Sequence, residues 1–211
     1  MEIGFTSAAY VVATILFILA LGGLSNEERA KRAVWYGITG MALAVLATLI
    51  GPGSSNWLLT LIMLAVGAPV GWIIAMRVQM TAMPQLIAAM HSLVGLAAVL
   101  VGFNAQFEQS ALRRAIEGGA TSFKGFAAVL AEKTPAEIAM LHVEIAIGIF
   151  IGGLTFTGSI VAYGKLAGKI DGKPKKLPGG HWLNGTAAAL SLLFTVLYVA
   201  GTGAPVLWLV L

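Results

Sequence analysis

Three ionisable side chains lie in stretches of the sequence that are otherwise apolar: His91, His142 and Glu144. An ionisable group at membrane depth is costly unless it is neutral, paired or in contact with water, so such residues are functional candidates. Histidine has an unperturbed pKa of about 6.5 and can take up and release a proton near neutral pH. The residue types therefore indicate proton transfer. The structural alternatives are a hydrogen bond across a helix pair for His91 and an interfacial position for His142.

His91 and Glu144 each belong to a row of small or hydroxyl-bearing residues at helical spacing. The two rows are Ala88, His91, Gly95, Ala98 and Gly102, and Glu144, Gly148, Gly152, Thr155 and Ser159. Small residues in such rows allow helices to approach closely, so both rows predict helix contact faces, and ordinary packing is the alternative to a proton path. His91 and Ser159 are predicted at similar depths on antiparallel helices, but the long connection between them does not decide whether those helices touch.

The composition excludes a water-soluble domain. Hydrophobic residues make up 58% of the 211 positions, charged residues only 10%, and the mean hydropathy is +0.90, whereas soluble domains carry roughly 25% charged residues. Cysteine is absent, which excludes disulfide scaffolds, thiol catalysis and cysteine-ligated metals. We expect an all-α, polytopic transmembrane helix bundle. Segments of about 20 apolar residues, the length needed to cross a bilayer, occur at 6–24, 33–50, 57–76, 84–103, 138–164 and 182–200.

The apolar run at 204–211 has the composition of a seventh span but not its length. We interpret residues 1–211 as one truncated transmembrane domain with six full spans and the start of another. Nine Lys and Arg residues lie in the segments 25–32, 77–83 and 165–181, against four in the segments on the opposite side. Because basic residues concentrate in cytoplasmic loops, this asymmetry predicts that the N-terminus lies outside. The basic residues lie in short connections rather than on one face, which argues against nucleic-acid binding.

The connection at 104–137 is too long for a simple turn. Residues 107–117 and 122–133 are predicted to be helical, with a break at Gly118-Gly119. Thr134, Pro135 and Glu137 then supply an N-cap, a proline at the first helical position and a glutamate at the third, so a helix is predicted to begin there. The sequence contains no nucleotide-binding loop and no metal-ligand cluster; we expect this chain to bind neither a nucleotide nor a metal by itself.

Two stretches of the sequence, 83–104 and 148–170, resemble a known family. The runs MPQLIA (83–88) and HSLVGLAAVLVGFN (91–104), and the runs GIFIG (148–152), TFTGS (155–159) and GKLAGKI (164–170), are similar to the membrane domain of the beta subunit of proton-translocating nicotinamide nucleotide transhydrogenase. The similarity extends over essentially the whole chain. It implies an oxidoreductase subunit that couples proton translocation to hydride transfer between NAD(H) and NADP(H), in a bacterial inner membrane.

The resemblance also implies roles and partners. The family's intramembrane histidine falls on His91 and the serine of its TFTGS motif falls on Ser159, which implies that His91 exchanges the translocated proton and Ser159 relays it. Further candidates for the proton path are Glu144, Thr155, Ser92 and Asn104, and the helix-packing candidates are Gly95, Gly102, Gly148 and Gly152. The cofactors would bind partner domains: an alpha subunit with the NAD-binding domain, and an NADP-binding domain near the basic segment 165–176. A dimer of the complex is expected.

This sequence departs from the family at the Met83-Pro84 pair, where relatives often carry flanking acids and this chain has Ala82 and Gln85. Two other functions are compatible with the pattern. One is a self-sufficient proton-coupled secondary transporter, although no internal repeat favours it. The other is a structural membrane anchor, which would tolerate a neutral replacement of His91.

Overall fold

A computed structural model describes residues 2–51, 56–173 and 179–200, and all of its long elements are α-helices. The helices are α1 (Glu2–Leu24), α2 (Glu27–Ile50), α3 (Trp57–Arg77), α4 (Met83–Glu117), α5 (Phe126–Ala131), α6 (Pro135–Leu166) and α7 (Gly180–Val199), with a 3₁₀ turn at Met80–Ala82 before α4. Six helices, all except α5, are long and apolar enough to cross a membrane. The six predicted spans are confirmed; the predicted start of a seventh at 204–211 lies outside the described residues.

The described residues form two compact units: the first contains the residues up to Val70 together with Thr121–Glu132, and the second contains Gly71–Ala120 and the residues from Lys133 onward. In the first unit α1 and α2 pack as a helical hairpin. Small residues make this contact close: a Cβ on Gly40 would lie 3.2 Å from the carbonyl oxygen of Ala13. Asn26 begins α2 by accepting a hydrogen bond from the Glu28 amide, because an N-cap side chain satisfies an amide that has no partner within the helix.

The second unit contains α4, α6 and α7. Its buried apolar core consists of Val99 and Phe103 on α4, Ile145, Ala146 and Ile149 on α6, and Tyr198 on α7. The α4–α6 contact is the most extensive of this unit, and α7 packs against α6.

Helix α4 differs from the prediction at its C-terminal end. The sequence predicted a span at 84–103 and a separate helix at 107–117, but α4 continues without a break to Glu117. No proline or glycine lies between Phe103 and Glu117 to end it, and its 35 residues extend roughly 52 Å. The break at Gly118-Gly119 is confirmed, since Gly119 has φ +84°, a conformation that favours glycine. The predicted helix at 122–133 is reduced to α5.

The start of α6 confirms the predicted cap. Thr134 accepts a hydrogen bond from the Glu137 amide, and the Glu137 carboxylate accepts one from the Thr134 amide. Pro135 occupies the first turn, where its missing N–H costs nothing. These local contacts fix the residue at which α6 begins.

Candidate functional site

The closest approach of α4 and α6 lies at Gly95 and Gly152. A Cβ on Gly95 would lie 2.5 Å from the Phe156 backbone nitrogen and 2.7 Å from the Gly152 carbonyl oxygen. A Cβ on Gly152 would lie 2.8 Å from the Gly95 carbonyl oxygen. The neighbouring atoms belong to backbone, so neither glycine can carry a side chain unless the helices separate. This backbone-to-backbone contact is the seam on which the candidate site is built.

The seam continues through apolar side chains. A Cβ on Gly102 would lie 2.5 Å from Ile149 Cγ1, so Ile149 occupies the space that Gly102 leaves open. Ile149 is fully buried. The middle of the α4–α6 contact is therefore filled with hydrocarbon and offers no polar group to a proton.

Three contacts give the register of the two helices. Gln85 Nε2 donates to the Leu166 carbonyl oxygen at 3.1 Å, Ile149 packs on Gly102, and His142 Nε2 lies 2.8 Å from Gln109 Oε1. Residue numbers rise along α4 as they fall along α6, so the helices are antiparallel. The same register places Ser159 at the level of Ser92. We call this level the serine level.

The predicted proton-path residues at the serine level have different surroundings. Ser92 is buried at the seam and its hydroxyl donates to the Ala89 carbonyl at 2.7 Å. Ser159 is half-buried on α6, whereas His91 is exposed. The depth match of His91 and Ser159 is thus present, but among the described residues no hydrogen bond joins them.

The His91 ring has one fixed nitrogen. Its Nδ1 lies 2.9 Å from the Ile87 carbonyl oxygen, one turn earlier in α4. A carbonyl oxygen only accepts, so this bond places the proton of the neutral ring on Nδ1 and leaves the lone pair on Nε2. Nε2 is therefore the atom at which His91 can take up another proton.

The two rows of small residues do not lie wholly on the seam. Gly95, Gly102 and Gly152 do, and Thr155 Cβ lies 3.0 Å from a Cβ placed on Gly95. Gly148, which the spacing assigned to the same packing face, has no such neighbour, since a Cβ there would meet no described atom within 4 Å. A step of four residues turns a helix by about 40° beyond one full turn. Gly148 therefore faces away from the centre of the contact.

His91, four residues before Gly95, is likewise rotated by about 40° around α4 relative to Gly95. Glu144 and Asn104 are also exposed within the described residues. We expected His91 to lie on a face that another helix covers closely, but α6 does not cover it. The contact face of α4 consists instead of the buried residues Ser92, Gly95, Val99, Gly102 and Gln106.

A polar cluster that the sequence did not predict lies at the opposite end of the seam. Gln109 contacts His142 of α6, while Gln106 accepts a hydrogen bond from the buried Tyr198 hydroxyl of α7. Gln106 also donates to Ser110 Oγ at 3.2 Å. The signal available in the sequence was the set of polar residues at 106, 109 and 110, which helical spacing places on one face.

The basic segment that follows α6 begins with a tightly closed helix end. Gly168 has φ +68°, and the Lys169 amide donates to the Gly164 carbonyl at 2.8 Å. Ile170 packs against Gly164, where a Cβ would lie 2.5 Å from its Cδ1. This glycine-ended motif satisfies carbonyls that a helix end otherwise leaves without partners. Gln85, at the position where acids were expected, adds a bond to Leu166.

Two cavities in the second unit are apolar. One, of about 610 Å³, lies between α6 and α7 and is lined by residues such as Val143, Phe150 and Leu192. The other, of about 320 Å³, lies between α4 and α6 beside Val99 and Phe156. Neither is lined by His91 or Ser159. Among the described residues no group of three or more His, Asp or Glu side chains is placed to bind a metal ion.

Comparison with known proteins identifies the family. A family model described as NAD(P) transhydrogenase beta subunit matches residues 6–211. Two relatives from Rhodospirillum rubrum, each named NAD(P) transhydrogenase subunit beta, are 43% identical over 176 residues, which cover 83% of this chain. The chain spans about a third of the length of these relatives, since the match covers 34% of each. With its six apolar helices, the chain belongs to the NAD(P) transhydrogenase beta subunit family and represents the membrane part of that subunit.

Proposed function

We propose that this chain forms the proton-translocating membrane domain of a transhydrogenase and that proton passage is coupled to hydride transfer between NAD(H) and NADP(H). The observation that carries the proposal is the antiparallel α4–α6 register, which brings the family's histidine and serine, His91 and Ser159, to one level. Hydride transfer takes place in partner domains that bind the cofactors, because this chain offers no nucleotide-binding motif.

His91 is the proton-exchanging group in this proposal. Its Nδ1 is held by the Ile87 carbonyl, so the proton enters and leaves at Nε2. Ser92 and Ser159, the hydroxyls at the same level, can relay a proton, since a hydroxyl both donates and accepts. Thr155, one turn from Ser159, extends this row, while Glu144 and Asn104 lie nearer the opposite end. The hydrocarbon contact between Gly102 and Ile149 argues that the proton passes beside α4, where His91 lies, rather than along the centre of the α4–α6 contact.

The partners follow from the same proposal. The NADP-binding domain docks at the cytoplasmic end near the segment 165–173, whose start is held rigidly by the glycine-ended motif and by Gln85. An alpha subunit supplies the NAD-binding domain, the complex is a dimer, and the assembly lies in a bacterial inner membrane with the N-terminus of this chain outside.

The test uses the full-length subunit with its alpha partner, reconstituted in proteoliposomes that contain a pH-sensitive dye. Reduction of an NAD analogue by NADPH and the lumenal pH are recorded together for wild type and His91→Ala. The matched control is His181→Ala, since His181 is an exposed histidine at the start of α7. We expect both signals to fall by ~10-fold or more in His91→Ala, as when a general acid-base group is lost, and neither to change in the control.

Other outcomes would favour other functions. Proton movement driven by a solute gradient without nucleotides would identify a secondary transporter. Hydride transfer and pH change that both persist in His91→Ala would make His91 a packing residue and contradict its assignment, leaving the family membership intact.

A further inference from the structure

His142 occupies a built polar site that the proposed path through His91 does not use. Its Nε2 lies 2.8 Å from Gln109 Oε1 on α4, and its ring meets the Tyr198 ring of α7 edge-on with centroids 5.2 Å apart. Tyr198 is buried and is fixed in turn by Gln106. Three helices thus position one imidazole, through side chains that are distant in the sequence.

The site accommodates both protonation states of the ring. The amide oxygen of Gln109 only accepts, so Nε2 donates to it whether the imidazole is neutral or charged. Uptake of a proton occurs at Nδ1, which forms no hydrogen bond with any described residue. The added charge then lies beside the Tyr198 ring, whose centroid is 5.2 Å from that of the imidazole. A histidine that keeps its contacts when it titrates can carry protons without disturbing the bundle.

The position of His142 along α6 gives it access to water. Helix α6 has 32 residues and extends roughly 48 Å at 1.5 Å per residue, against a hydrocarbon core of about 30 Å. If both ends protrude equally, about 9 Å lies outside the core at each end. His142 is seven residues from Pro135, or about 10 Å, at the boundary of the core. Its side chain is half-buried.

The surroundings of His142 are neutral. The groups that face it from the helices packed against it are the Gln106 and Gln109 amides and the Tyr198 phenol. Among the described residues no carboxylate forms an ion pair with it; on α4, the Glu117 carboxylate pairs with Arg113, and Glu144 on α6 is exposed. Exchange with water, rather than a fixed counter-ion, therefore sets its charge.

We propose that His142 exchanges protons with the membrane side opposite the nucleotides, and that Gln109 and Tyr198 are positioning residues for its ring. The proposal rests on the proposed function, since it adds a second titrating group to the same proton path. That group is separated from the serine level by the hydrocarbon seam.

One experiment measures hydride transfer in the reconstituted full-length complex as the pH on the side opposite the nucleotides is varied. The His142→Phe variant keeps a ring beside Tyr198 but cannot titrate, and His181→Ala, which removes an exposed histidine outside the site, is the matched control. A single imidazole changes its protonated fraction ~10-fold over the two pH units centred on its pKa. We expect wild type and His181→Ala to follow that dependence and His142→Phe to lose it. The same dependence in His142→Phe would overturn the proposal.

A second experiment distinguishes failure of this proposal from failure of the proposed function. Nitrogen NMR of the full-length complex with labelled histidine, assigned with His142→Phe, reports the tautomer and charge of the ring directly. We expect Nε2 to carry a proton throughout and Nδ1 to gain one as the pH is lowered. A ring that stays neutral, or whose proton lies on Nδ1, would overturn the assignment of His142 even if transhydrogenation is coupled to protons. If transhydrogenation moves no protons, the proposed function fails. The NMR titration of His142 does not depend on that result, and a ring that does not titrate overturns the assignment of His142 in either case.

Discussion

The substitution Gly95→Ala tests the seam on which the candidate site is built. The added Cβ would lie 2.5 Å from the Phe156 nitrogen and 2.7 Å from the Gly152 carbonyl oxygen. Both are backbone atoms that cannot rotate away. To restore ordinary contact at about 3.4 Å, α4 and α6 must separate by about 0.9 Å at this level.

The expected cost is at the upper end of the range for overpacked sites, about 3 kcal/mol. Part of it comes from weaker dispersion attraction along the seam, because each pair of atoms at optimal separation contributes only ~0.1–0.2 kcal/mol but many pairs move apart together. The same separation moves Ser92 away from α6, which carries Ser159. Hydride-coupled proton transfer is therefore expected to fall together with stability.

The assay is equilibrium unfolding of the full-length subunit in detergent or bilayer nanodiscs. Gly148→Ala is the matched control, because a Cβ there meets no described atom within 4 Å and alanine is favoured over glycine in a helix interior by about 1 kcal/mol. We expect Gly95→Ala to be destabilised and Gly148→Ala to be unchanged or more stable. The double variant Gly95→Ala, Gly152→Ala should be less destabilised than the sum of the single changes, because the first already separates the helices. Equal stability of Gly95→Ala and Gly148→Ala would refute the close approach.

Two further changes test contacts near the N-terminal end of α6. Tyr198→Phe should lower the free energy of unfolding by about 1–3 kcal/mol, because the buried Gln106 amide loses its donor. Tyr36→Phe, at an exposed tyrosine, is the control, and unchanged stability of Tyr198→Phe would contradict that bond. Thr134→Ala should cost about 1 kcal/mol and speed amide hydrogen exchange in the first turn of α6, because the cap that it shares with Glu137 is lost. Thr134→Ser retains the hydroxyl and should behave as wild type, so equal loss in both variants would show that the cap is not the cause.

The helices could be predicted from the sequence because their causes are local. A run of apolar residues, a capping threonine such as Thr134 and a break such as Gly118-Gly119 act within a few positions. The part of α4 at 107–117 was predicted as a separate helix, since the apolar span before it was predicted to end at Phe103. Nothing between Phe103 and Glu117 interrupts backbone hydrogen bonding, so the helix continues.

The candidate site was only partly predictable. His91 and Ser159 could be selected by residue type and family motif, and their depth could be counted along each helix. Residue spacing could not determine the face on which each helix contacts the other, since steps of three and of four residues rotate in opposite senses around a helix. Thus Gly152 lies on the seam while Gly148 does not, although both belong to one row.

The sequence by itself determined a membrane protein of at least six helices and the family to which it belongs. The length of an apolar segment and a contiguous motif depend only on consecutive residues. Only the tertiary structure decided that α4 and α6 touch through Gly95 and Gly152. It also placed the His142 imidazole between Gln109 and Tyr198. The bond between Tyr198 and Gln106 joins positions 92 residues apart. Such pairs depend on how three helices pack together, and no local period encodes that packing.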